Sequence, residues 1–159
     1  MKTLFLFPNK FKTLGWILFI PSFIGSIFFS FSNLNIDNYC VVNVFAILDS
    51  GIMSSNKFFT IIENSIVDEL LLFGLIIGGL LIGFSKLKIE DEFTSKIRYE
   101  SLVWATYLNY GLILLFTIAV YGLSYLNILF FNTFTLLLFF IIRFHYLIYK
   151  LNNSSNDDE

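Results

Sequence analysis

Three consecutive carboxylates, Glu90, Asp91 and Glu92, could in principle hold a divalent cation or work as an acid–base pair. On a helix successive side chains diverge by about 100°, so three neighbours cannot converge on one ion by themselves. They suit the positive N-terminal end of a helix instead, where carboxylates complement the dipole. His145 is the only histidine and Cys40 the only cysteine, which excludes an internal disulfide and leaves no zinc spacing. No nucleophile–base pair, phosphate loop or haem ligand set is present. No catalytic, metal or cofactor-binding residue is therefore expected.

The other chemistry-bearing residues are isolated inside apolar sequence. Arg143, Asn109, Glu100 and His145 are the candidate polar cluster. Arg143 and Asn109 each sit some seven residues inside an apolar run, on the order of 10 Å deep at 1.5 Å per residue. An ionisable group at such depth is costly and often functional, yet an arginine this close to the boundary can also snorkel as an anchor. Both readings stay open at the level of sequence.

These side chains need elements to position them, and composition says what those elements are. Apolar residues make up 57% of the 159, with 21 Phe and a mean hydropathy of +0.77. Only 14% are charged, against about a quarter in soluble domains. A chain this short has too little interior to hide so many large side chains from water. Four runs, about 14–31, 66–84, 102–125 and 128–149, approach the roughly 20 residues that cross a bilayer. The expected fold is an all-α membrane protein of four transmembrane helices, a single domain over 1–151 with a disordered acidic tail at 152–159. The first run carries Pro21 and lacks a small-residue cleavage site, so it reads as a retained anchor.

Basic residues fix the expected orientation. With a cytoplasmic N-terminus, Lys2, Lys10, Lys12, Lys86, Lys88, Lys96, Arg98, Arg143 and Lys150 fall on the inner side and only Lys57 outside. Both termini then face the cytoplasm, in a bacterial inner membrane. The stretch from Asn33 to Ser65 becomes an extracytoplasmic loop of about 33 residues, long for a structureless link. Within it, Cys40–Leu48 reads as a short strand or interfacial segment, Asp49–Gly51 as a turn and Asn56–Asn64 as a short amphipathic helix. Ser65 and Asp68 resemble a capping box for the second span. Spans three and four join through a tight turn near Leu126 and Asn127.

The second span contains Gly74-x-x-x-Gly78 and Gly79-x-x-x-Gly83, and the first a small ridge at Ser22 and Ser26. Small residues four apart let helix backbones approach closely. These ridges either join spans one and two within a subunit or form a homodimer seam.

The largest polar surface is the island Lys86–Ser101, which holds eight of the 22 charged residues. Read as a short helix extending the third span, it pairs Glu92 with Lys96 and Lys96 with Glu100 at i, i+4 spacing. Glu90, Asp91, Glu92, Lys96 and Arg98 form the candidate docking surface for a cytoplasmic protein. Asn9–Pro21, Lys88–Tyr110 and Phe131–Phe144 resemble a group of small multi-span membrane proteins of Bacteroidota-type bacteria, often encoded beside short helix-turn-helix regulators. The resemblance implies four spans and no particular chemistry. The expected function is a non-enzymatic accessory or regulatory membrane protein whose partners are the bilayer and a cytoplasmic protein, with no direct nucleic acid binding. A small transporter or channel subunit is the first alternative, and an intramembrane lipid-modifying enzyme the second.

Overall fold

The structure is a computed structural model that describes residues 5–32, 39–49, 57–88 and 90–154. Four helices and a two-stranded sheet are present among them: α1 (Lys10–Phe31), β1 (Val41–Asp49), β2 (Lys57–Ser65), α2 (Val67–Gly83), α3 (Glu92–Ala119) and α4 (Leu123–Ser154). Three of the helices, α1, α3 and α4, are long and apolar enough to cross a membrane. The fourth, α2, has 17 residues, or about 26 Å of helix, slightly less than a hydrocarbon core.

Neighbouring helices follow the order α1, α2, α4, α3. Glycines set the first two contacts. A Cβ on Gly78 would lie 2.8 Å from the backbone nitrogen of Phe19, and one on Gly15 would lie 3.0 Å from the carbonyl of Gly78. Gly74 faces Ser22 just as closely. The second pair of glycines looks the other way, Gly79 toward Leu137 and Gly83 toward Phe140, both on α4. Because residues 78 and 79 are about 100° apart on a helix, two adjacent glycine ridges can serve two partners. Ser26 lines a small cavity of 110 Å³ that Leu75, Asp68 and Phe134 also touch.

Two apolar clusters follow from this order. Phe19, Leu75, Ile82, Phe134 and Ile141 join α1, α2 and α4. Ile97, Ala105, Phe140 and Phe144 join α3 and α4. Outward-facing positions are as apolar as the core: Ile17, Phe73, Leu114 and Ile118 are all more than 60% exposed. A surface of this kind suits a hydrocarbon solvent.

The chain departs from the all-α expectation between α1 and α2. The strands β1 and β2 form an antiparallel hairpin in register from Val41↔Ser65 to Asp49↔Lys57. Residues 57–64, expected as an amphipathic helix, are therefore a strand. The run Phe58-Phe59-Thr60-Ile61-Ile62 is β-branched and aromatic, and Val41–Leu48 supplies the edge that pairs its backbone groups. Residues 33–38 and 50–56, with most of the expected Asp49–Gly51 turn, lie outside the described residues. The capping box does not form either. Ile66 is the N-cap of α2 with no side-chain cap bond, while the Ser65 hydroxyl donates to the Tyr39 carbonyl at 2.7 Å.

The turn between the last two helices lies at Val120–Gly122 and not near Asn127. Gly122 adopts φ +74°, a conformation glycine reaches without strain. Hydropathy gives no hint of it, because apolar residues continue on both sides. At its far end α4 stays helical through Ser154, past the expected start of the tail, and residues 155–159 lie outside the described residues.

Candidate functional site

The charged island begins on a strap. Phe7 and Ser85 form a parallel β-bridge, with Phe7 N donating to Phe84 O and Lys86 N to Phe7 O, each at 2.9 Å. The Asn9 amide donates to Lys86 O at 2.7 Å. The segment before α1 is thus bonded directly to the connector after α2.

From this base the three carboxylates take separate tasks. Glu90 turns inward, accepts the Leu87 N–H at 3.0 Å and holds Arg98 in a two-pronged ion pair, with Nη2 to Oε2 at 3.2 Å. Asp91 caps α3 by accepting the Thr94 N–H at 2.7 Å. The Thr94 side chain and then its N–H hold the Asp91 carboxyl below its ordinary range. Glu92 is exposed in the first turn. Among the described residues no three His, Cys, Asp or Glu side chains are grouped to hold a metal ion.

Arg98 does not belong to the exposed face on which docking was expected. Only 7% exposed, it also donates to the Ser85 carbonyl at 3.3 Å and lies 4.9 Å over the Phe144 ring. The reason is helical geometry: Lys96 and Glu100 are i, i+4 and share one side, whereas Arg98 sits about 200° from each. Lys96 and Glu100 approach to 4.0 Å with side chains 71% and 52% exposed, a weak surface pair. The exposed part of the expected surface is Asp91, Glu92 and Lys96, and Glu90 and Arg98 are its buried anchor.

The four residues of the expected polar cluster are dispersed over three places. Asn109 is buried and exchanges two amide hydrogen bonds with Asn132, at 3.0 and 3.4 Å, which ties α3 to α4. His145 shares a hydrogen with the Ile141 carbonyl at 3.0 Å and stands edge-on to Trp16 and Phe144. Glu100 and Arg143 do meet, as walls of one groove with Tyr99, Trp104 and Tyr107. Arg143 stacks on the Trp104 ring at 4.6 Å.

Sequence reading assigned no role to Ser85 and Ser101, both fully buried with hydroxyls that find no partner among the described residues. Nothing in their local sequence marks them. Asn132 shares a helix face with Thr135, Phe139, Arg143 and Tyr146 at steps of three and four, and pairing it with Asn109 requires knowing the turn.

Comparison with protein-family models, curated proteins and solved structures returns no match. A role for the chain therefore rests on its own residues.

Proposed function

We propose that this chain is a non-enzymatic integral membrane protein of a bacterial cytoplasmic membrane. It crosses four times, keeps both termini inside, and uses the exposed side of the island, Asp91, Glu92 and Lys96, to dock a cytoplasmic protein. The observation that carries this reading is the buried Arg98–Glu90 pair beneath that surface. A charged helix start fastened by an ion pair, a carbonyl contact and an N-terminal strap holds its outer face in fixed geometry. Such preorganisation lowers the entropic cost of binding. The inner location is supported by the basic residues, nine of ten on that side, and by the strap that joins the N-terminal segment to the island. Short α2 is accommodated by local thinning or by its neighbours.

A photo-crosslinking residue placed at Phe93 or Lys96 in native membranes tests the docking. The expected result is one soluble protein captured from both positions, with capture from Phe93 lost when Lys96→Glu reverses the charge. Capture of lipid alone, or of nothing, sinks the proposal.

A further inference from the structure

The groove shared by Arg143 and Glu100 has an unmet requirement. Arginine carries five N–H donors and cannot shed its charge. Arg143 rests on Trp104, its Nε is buried without an acceptor, and it makes no hydrogen bond or ion pair with any described residue. Arg98, by contrast, has a carboxylate and a carbonyl. A half-buried arginine whose Nε is enclosed and whose remaining donors face an open groove suits an anion from outside the chain.

Helix lengths say where that anion comes from. The 28 residues of α3 and 32 of α4 measure about 42 and 48 Å, well over the roughly 30 Å hydrocarbon core. Both helices remain apolar up to the Val120–Gly122 turn, so their excess length emerges at the island end. About 20 residues span the core. Counted back from Ala119 they reach Tyr99 and Glu100; counted on from Leu123 they reach Arg143. The two charges thus stand at one height, the boundary between acyl chains and headgroups. Tyr99, Trp104 and Tyr146 line the hollows around these charges, as interfacial aromatics do. Trp104 and Arg143 also line a second hollow of 430 Å³, together with Phe139, Ile142 and Leu147. Its lining is almost wholly apolar, suited to an acyl chain.

We infer that this groove is a headgroup site for a phospholipid bearing a primary ammonium, with Arg143 on the phosphate and Glu100 on the ammonium. The phosphate and ammonium of an ethanolamine headgroup carry the charges opposite to those of the two side chains that line this groove. The Glu100 carboxylate is half-exposed and its surface pair with Lys96 is long, at 4.0 Å, so an ammonium can share it. The site uses the membrane orientation proposed above but none of the docking residues, so each can fail without the other.

The full-length chain in detergent micelles, presented with dioleoyl phosphatidylethanolamine and dioleoyl phosphatidylglycerol and read by native mass spectrometry, provides the test. Ethanolamine lipid is expected to be retained about fivefold over glycerol lipid, because Glu100 repels the anionic headgroup. Glu100→Gln, a change at a half-exposed side chain, is expected to bring that ratio to about one. Arg143→Gln is expected to lower retention of both lipids about tenfold. Millimolar inorganic phosphate is expected to displace neither. The inference is overturned if Glu100→Gln leaves the lipid ratio unchanged, if Arg143→Gln binds as the parent does, or if free phosphate displaces the lipid.

Discussion

Arg98 and Arg143 have the same side chain and opposite circumstances. Arg98 is enclosed with Glu90, their side chains only 8% and 16% exposed. A buried pair of this kind is costly to break from one side, because the remaining charge is left without compensation. Arg98→Met is therefore expected to lower unfolding stability by about 3–5 kcal/mol, measured by denaturation in mixed micelles. Adding Glu90→Leu should recover most of that loss, since an apolar pair of similar volume needs no partner. A double variant as unstable as the single would mean that the pair's worth lies in its hydrogen bonds to Leu87 and Ser85. The positions of these charges were plain in the sequence, and so was their alternation. What the sequence reading lost was the angle between residues 96, 98 and 100, which sends the middle one to the opposite side of α3 from its neighbours. The polar cluster failed because its depths were misread along with the turn. With the turn at Val120–Gly122, Asn109 meets Asn132, eleven residues along α4 from Arg143, which stacks on Trp104 instead.

Elements were read unevenly, and the difference is physical. Long apolar runs declare helices because only intrasegment hydrogen bonds satisfy a backbone in lipid. The hairpin was half seen. A short run such as Phe58–Ile62 fits helix or strand until its pairing partner is known. Contact between helices can be tested at single glycines. Gly78→Ala would press a methyl group against the Phe19 backbone, 2.8 Å from its nitrogen, and is expected to cost about 1–3 kcal/mol. Gly111→Ala on α3 has nothing within 4 Å and is expected to be neutral or to stabilise by up to about 1 kcal/mol. Equal effects at the two sites, in the same micelle denaturation, would argue that close approach does not hold α1 to α2. Both glycine ridges are already occupied within one chain, by α1 and by α4, so a homodimer through them would have to displace a helix.

At the scale of the molecule, the proposed orientation can be read from one native atom. Cys40 is the only cysteine, exposed at the start of the hairpin. A membrane-impermeant maleimide is expected to label it in intact spheroplasts. The variant Cys40→Ser/Lys88→Cys is expected to react only after the membrane is permeabilised. The reverse pattern would turn the whole chain over. Across the bundle, α1, α2 and α4 share one apolar cluster, whereas α3 leans on α4 and has little contact with the first two helices. It is clamped at the island end by Arg98 on Ser85 and Glu90, tied to α4 at mid-length by Asn109 and Asn132, and held at the other end, among the described residues, by the Gly122 turn and a Thr117–Tyr125 hydrogen bond of 2.8 Å. Mechanically that is a lever with its pivot beside the proposed docking face and its long arm toward the Gly122 turn. A small rotation imposed at Asp91–Lys96 is multiplied along some 40 Å of helix. The bilayer, through its thickness and lateral pressure, pushes back on the same arm.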